Sequence, residues 1–318
     1  MIEVSVIIIS YNTRELTLEC IDSVYEQTKS ISYELIVVDN ASNDGSSQAI
    51  KENFPDINLI ASKNNLGFAN ANNLASKQAN GKYILLLNPD TVVLNRAIQK
   101  ILSFASANPH HLIYGGRTLY GDHSLNHTSC WARPTLWSYF CYASGLTSIF
   151  RRNRLFDPES YGDWQRNSVR EVDIVTGCFL MIEKQLWQHL NGFDPKFFMY
   201  GEDADLCLRA AKKGARPVIT PDATIIHYCG ASENIHADKM IKLFRAKEQL
   251  VRRHWSPIPM RIGIALLRIS VFLRALICKV LNLLGLKIYY EKSNSWYEIW
   301  QRRSEWQTLS KPVKNFPN

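Results

Sequence analysis

Residues 4–10, VSVIIIS, are an unbroken run dominated by β-branched residues, the pattern of a strand buried on both faces. The period then changes. In TRELTLECIDSVYEQT (13–28), Leu16, Cys20, Ile21 and Val24 recur at helical spacing. YELIVVDNAS (33–42) predicts a second strand ending on Asp39, and DGSSQAIKENF a second helix. INLIASK, FANANNLASKQA and KYILLLN then read as strand, helix and strand. Strand and helix at this cadence imply a parallel sheet with right-handed crossovers.

In such sheets ligands bind in the crevice beyond the carboxyl ends of the strands. Polar residues fall at those ends: Ser10-Tyr11-Asn12, Asp39-Asn40, Asn64-Asn65 and Asn88-Pro89-Asp90. Each alone is readable as a turn, since Asn, Asp and Pro are turn formers. Four together make one rim, so Asp90 is read as a solvent-facing site residue. No Gly-x-Gly-x-x-Gly follows the first strand, where SYNTRE stands, and no Gly-rich loop with Lys-Ser/Thr is present. A nucleotide there would be held by side chains and a metal.

Composition narrows the class. A chain of 318 residues, 46% hydrophobic, is long enough for one large α/β core or two modest ones. MIEVSVIIIS carries Glu3 and no basic region, so no signal peptide is expected. Seven scattered cysteines without a Cys-x-x-Cys pair point to reduced thiols in a cytosolic compartment. The net charge of +8 is uneven: residues 241–318 hold 15 Lys/Arg against 4 Asp/Glu, and residues 1–240 hold 22 against 25. Such a basic end suits an anionic partner, nucleic acid or a membrane surface.

GEDADLCLRAAKKG (201–214) predicts a helix from near Glu202 to Gly214. Acids in a first turn also serve the helix dipole. Asp205 and Arg209, spaced i,i+4, read as a structural pair. Glu202 and Asp203 point about 100° apart and cannot share one contact. His227 follows a short apolar strand. Trp164 and Trp187 are read as core before ligand-stacking residues. Residues 117–170 are rich in Arg, Trp and Tyr and show little periodicity.

The segments VSVIIISYN, VVDNASNDGS, NNLGFANANN, YILLLNPD, VTGCFLMI and FFMYGEDADLCLR resemble glycosyltransferase family 2. The resemblance covers about residues 3–255 and implies a GT-A fold, a Rossmann-like, mostly parallel α/β sheet flanked by helices, with inverting transfer. The Asn-Pro-Asp subgroup is similar to bacterial rhamnosyltransferases of O-antigen and other surface polysaccharides. It implies that Tyr11 and Asp39, with Ser10 and Asn12 on the same rim, line the donor nucleotide. Asn65, Gly67 and Asn73 fall on the segment near ribose and phosphate, with Asn72 where the family often has Arg. Asn88 and Asp90 take the outer places of the Asp-x-Asp motif, which leaves Asp90 as its acidic ligand for Mg²⁺ or Mn²⁺. His227 is implied at the metal or diphosphate, Asp203 as catalytic base, Glu202 as an acceptor-orienting partner and Gly177 as the acceptor-side floor. One carboxylate suffices for a hard cation that keeps several waters.

The resemblance also implies a nucleotide-sugar donor, rhamnose on dTDP being the family-level choice, and a lipid-linked glycan acceptor. Residues 1–255 are then the catalytic domain, 1–116 on the donor side and 117–255 on the acceptor side. Residues 256–318 are expected to form a basic amphipathic helical tail, dispensable for folding. In 261–287 the longest uncharged run is seven residues, too short to span a bilayer. Arg261, Arg268 and Lys279 share one side of a helix, and Arg274 does not. Interleaved aliphatics favour lipid over nucleic acid, so the enzyme is expected on the cytoplasmic face of the membrane, bound to an anionic surface. A helix packed on the catalytic domain is the competing reading of this stretch. A catalytically silent sugar-nucleotide or glycan-binding protein is the alternative function, supported by Asn88 in place of Asp.

Overall fold

The structure is a computed structural model that describes residues 1–229, 236–285 and 290–307. The chain divides into two compact units, Met1–Arg133 with Asp163–Ser232 and Pro134–Gly162 with Glu233–Asn318.

The first unit begins with β1 (Val4–Ser10), α1 (Arg14–Gln27), β2 (Tyr33–Asp39), α2 (Ser46–Asn53), β3 (Asn58–Ala61), α3 (Gly67–Ser76) and β4 (Tyr83–Leu87). These strands pair in parallel in the order β3–β2–β1–β4. Every residue of β1 and β4 is buried, which accounts for their lack of polar alternation. There follow β5 (Thr91–Val93), α4 (Ala97–Ala107), β6 (Ile113–Leu119), β7 (Leu125–Asn126) and β8 (Cys130–Trp131). The chain then enters the second unit for α5 (Leu136–Ser144) and α6 (Leu146–Ile149). It returns through β9 (Arg170–Glu171), β10 (Ile174–Val175), β11 (Phe179–Glu183), α7 (Lys184–His189), α8 (Glu202–Ala211) and β12 (Val218–His227).

The sheet continues β4–β11–β6–β12–β5, with β7 beside β6 and β9 beside β12. Because β11 runs antiparallel to both β4 and β6, and β12 is parallel to β6, β12 points the same way as β1–β4. One end of the sheet therefore collects the last residues of β1, β2, β4 and β12 and the first of β11. β12 carries an irregularity: Ile219 pairs with Gly115 but Thr224 with Arg117, five steps against two. The core is aliphatic, built on Val6, Ile8, Val37, Leu85, Ile101 and Met181.

The second unit adds α9 (His236–His254), α10 (Pro257–Leu283), α11 (Tyr290–Gln301) and α12 (Arg303–Gln307). Prolines 257 and 259 lie in the first turn of α10, where a missing N–H costs nothing. Its inner face, including Ile264, Leu267, Val271 and Cys278, is buried, and the helix packs on α5, α9 and α11. Tyr139, Phe244 and Trp306 complete an aromatic core. The border expected at 255/256 falls inside this unit, and α10 is a packed helix of it. Loss of residues from 257 onward would strip Phe244 and Tyr139 of apolar neighbours, so this stretch is not an independent appendage. Arg274, the cation off the basic stripe, turns inward: it donates to the Tyr142 and Ser270 carbonyls at 2.7 and 3.0 Å, over the Tyr142 ring. Residues 286–289 and 308–318 of the expected tail lie outside the described residues. Among those described, no helix is long and apolar enough to cross a membrane. None of the seven cysteines is in a disulfide.

Candidate active site

The Asn-Pro-Asp turn leaves β4 under three constraints. The Asn88 N–H donates to the Cys178 carbonyl (3.1 Å), the Thr91 hydroxyl donates to the Asn88 carbonyl (2.7 Å), and the Tyr228 N–H donates to the Asp90 carbonyl (3.0 Å). Pairing of His227 with Thr91 across β12 and β5 then delivers the imidazole to the carboxylate. His227 Nε2 lies 3.3 Å from Asp90 Oδ1 and 3.4 Å from Asn88 Nδ2. Asp90 is 8% exposed, so it is sunk beneath the surface, contrary to the solvent-facing position expected of a turn residue. Burial works against a proton on His227, whereas Cys178, Asp90 and Cys229 favour it, and the net direction is upward. Among the described residues no three His, Cys, Asp or Glu side chains gather as a metal cluster. Once its proton is displaced, the imidazole would form with the Asp90 carboxylate a fitting donor pair for Mg²⁺ or Mn²⁺, ions that complete their shells with phosphate oxygens and water.

The donor-side rim is more divided. Tyr11 is half-buried and Asn12 exposed; Asn12 takes a left-handed φ of 52° and its Oδ1 accepts from the Asn43 N–H (2.8 Å). Ser10 is fully buried, and its hydroxyl meets Thr17 at 2.9 Å. Asp39 closes the end of β2 and accepts from the Ser42 N–H (3.3 Å). Asn65 Oδ1 accepts from Asn40 Nδ2 and from the Gly67 N–H at 3.1 and 2.9 Å, which fixes the start of α3. Asn72 is 1% exposed and donates back to the Phe68 carbonyl. Asn73 makes a two-way pair with the Phe193 backbone, both bonds 2.9 Å. Gly67, at φ +74°, approaches Phe198 so closely that a Cβ would lie 2.5 Å from its carbonyl oxygen. In this structure Gly67 and Asn73 thus hold the loop that leads to α8.

That loop ends in two left-handed residues, Tyr200 (φ 70°) and Gly201 (φ 81°), a strained entry of the kind found at functional sites. Glu202 and Asp203 follow. Asp203 Oδ2 accepts from the Gly177 N–H (3.1 Å) and Oδ1 from the Ala204 N–H (2.7 Å). Burial lifts its carboxyl above the ordinary value, and these two donors oppose the lift. Glu202 is 6% exposed, with Oε2 buried and without a hydrogen-bond partner among the described residues; burial and the charge of Asp203 push it well upward. Asp205 and Arg209 pair at 2.6 Å, as their spacing predicts. Arg209 also donates to the carbonyls of Leu190 and Gly192, which locks the approach to α8. Trp187 is core, edge-on to Phe193, whereas Trp164 stacks under Arg166 and Arg170.

Sequence reasoning missed Cys178, Cys229 and Asn126. Cys229 Sγ lies 3.4 Å from His227 Nδ1 and accepts from Asn126 Nδ2 at 3.2 Å. Asn126 has no sequence signal, because β7 is two residues long.

A mostly parallel sheet with Asp39, Asn88 and Asp90 gathered at its strand ends is the arrangement in which open α/β folds bind ligands. Sequence comparison sharpens this: the profile of glycosyl transferase family 2 matches residues 5–176, and the chain belongs to that family. A second profile, described as the N-terminal domain of galactosyltransferase, matches residues 168–232. The N-acetylglucosaminyl-diphospho-decaprenol L-rhamnosyltransferase of Mycobacterium tuberculosis is 26% identical over 213 residues, 61% of this chain and 66% of its own length. Rhamnosyltransferase WbbL of Escherichia coli is 28% identical over 171 residues, 51% of this chain and 61% of its own. The O-antigen biosynthesis protein RfbC of Myxococcus xanthus is 25% identical over 74% of this chain, which is 18% of RfbC. The chain thus spans less than two thirds of each of these relatives. Among solved structures, the mannosyltransferase PcManGT from Pyrobaculum calidifontis, in complex with GDP-Man and Mn²⁺, superposes with a TM-score of 0.59 at 17% identity. That match covers 97% of this chain and 88% of PcManGT. The fold is GT-A.

Proposed function

We propose that the protein is a metal-dependent inverting glycosyltransferase. It moves a sugar from a nucleotide-diphosphate donor to a hydroxyl of a lipid-linked glycan in surface-polysaccharide synthesis. The names of the relatives favour rhamnose and a lipid-diphosphate acceptor. One observation carries the reading. Gly177 and Cys178 are adjacent just before β11; the first grips Asp203 and the second grips Asn88. The proton acceptor and the metal corner therefore hang from neighbouring residues.

Tyr11 and Asp39 line the nucleotide base, and Asn88 and Asp90 face the diphosphate. Asp90 and His227 would hold Mg²⁺ or Mn²⁺, which supplies neutralisation of the charge developing on the leaving diphosphate. Asp203, fixed by two backbone donors, takes the proton of the acceptor hydroxyl opposite the leaving group. A single displacement of this kind inverts the anomeric centre. Glu202 orients the acceptor. The enzyme works on the cytoplasmic face of the cell membrane, with α10 against an anionic bilayer: Ile258, Ile262, Ile269, Leu276, Val280 and Leu283 are all exposed and fall within about 60° of one another on a helical wheel.

The test is nucleotide release from a panel of UDP-, GDP- and dTDP-sugars with and without divalent metal. One donor should release its nucleoside diphosphate with metal and acceptor present; a silent binding protein would release none. Asp90→Asn should lose metal-dependent nucleotide affinity in calorimetry, and unchanged affinity would overturn the metal assignment.

A further inference from the structure

In the helical unit, a cleft of about 630 Å³ opens between α9 and α10, lined by Arg252, Arg261 and Arg268 together with Met260, Ile264 and Ile269. A second cleft of about 350 Å³ shares Arg268 and adds Arg303, Gln301 and Ser304. Three guanidinium groups on one cleft repel each other unless something anionic sits among them. Glu248 supplies part of that charge. Its carboxylate is buried, accepts two bonds from Arg252 at 2.7 and 3.1 Å, and lies 3.8 Å from Arg268 Nη2. Among the described residues, one carboxylate against three arginines leaves two positive charges over, and the buried Nε–H of Arg268 has no partner.

What surrounds the cleft identifies the anion. Arg261 and Arg268 flank the exposed apolar stripe of α10, and Ile269 belongs to both stripe and cleft lining. A free anion gains nothing from isoleucines at its mouth; an amphiphile places its phosphate among the arginines and its chains along the stripe. Arginine forks match phosphate oxygens in pairs. We infer that this cleft seats the phosphate of an anionic membrane phospholipid. The inference rests on the proposed membrane association and assigns it a specific head-group site.

The full-length protein is sedimented with vesicles of phosphatidylcholine alone, and of phosphatidylcholine mixed with phosphatidylglycerol. Wild type should prefer the mixed vesicles. Lys279→Gln removes one charge from the same flank outside the cleft and should weaken mixed-vesicle binding about fivefold, the worth of one surface cation. Arg261→Gln should weaken it about twentyfold, because paired hydrogen bonds are lost with the charge. Both variants should leave binding to pure phosphatidylcholine unchanged. Arg261 is exposed, so its replacement leaves the fold intact and keeps the test readable if Arg268→Gln, beside buried Glu248, costs stability. Equal losses in Arg261→Gln and Lys279→Gln would refute the site while leaving membrane association standing. Wild type that sediments with neither vesicle would refute membrane association itself. Release by millimolar inorganic phosphate at constant ionic strength would assign the cleft to a free anion and overturn the lipid.

Discussion

The sheet unit buries aliphatic side chains such as Val6, Ile8 and Val37 and sends its acids and amides to the strand ends. The helical unit buries Tyr139, Phe244 and Trp306 and sets cations against the rings of its core: Arg274 lies 4.1 Å from the Tyr142 ring centroid, and Lys247 5.1 Å, whereas the Trp164 stack with Arg166 and Arg170 in the sheet unit lies outside its aliphatic core. In the first unit backbone pairing decides where each polar group ends up, since register alone sets which residue follows a strand. In the second, side chains alone hold the helices in place, so polar groups are part of the packing. The lesson is that chemistry requiring fixed distances sits where the backbone fixes them.

Asp203→Asn breaks this contrast most severely if it is false. The substitution keeps the shape and most hydrogen bonding but removes the proton acceptor, so turnover should fall by about 10² to 10⁴ while donor affinity persists in calorimetry. Near-normal turnover, with Glu202→Gln inactive, would exchange the two roles. Next in size is Phe244→Ala, which should cost about 3–5 kcal/mol in denaturant melts. Nucleotide affinity at the sheet end should be unchanged at low denaturant; a parallel loss would mean the two cores are one.

A smaller, pH-dependent effect is expected at Glu202. Its carboxyl is held above the ordinary value in the fold, so its protonated form favours the native state. That contribution is complete below the unfolded value of about 4.3 and is lost as pH rises through the folded one. Wild type should therefore melt with Glu202→Gln in acid and fall below it towards neutral pH. The smallest effect belongs to Arg274→Met, which keeps the stem and removes the charge over Tyr142. A loss of about 0.5–2 kcal/mol is expected, from the cation–π contact together with the two hydrogen bonds to the Tyr142 and Ser270 carbonyls that go with it. No loss would show that the ring packing alone sustains the helical unit.

Much of the first unit was legible because its strands are uninterrupted apolar runs and its helices have one apolar face. Asp39, Asn88 and Asp90 could be placed at the strand ends from that alone. Ser10, Asn72 and Asn73 could not be sorted from them, since a polar residue at a strand end or helix start points outward or inward according to neighbours distant in sequence. Asn73 finds its partner 120 residues away. The helical unit was harder to read. Its core draws on 134–162 as well as the C-terminal helices, and α10 is apolar on both its buried and its exposed faces, which erases the single-face signal.

The irregularity in β12 bears on which changes of length this chain tolerates. Between Ile219 and Thr224 the strand uses three residues more than β6, and the pairs that follow set which side each later residue faces. His227 meets Asp90 because 225–227 hold this register against β5. A change of one residue within 220–223 is either absorbed in that irregularity or slips 224–227 by one position along β5 and β6, and the slip turns the imidazole to the opposite face. One residue gained or lost in the exposed turn at 121–124 carries no such risk. Homologues of this protein should therefore vary in length at that turn more readily than across 220–223.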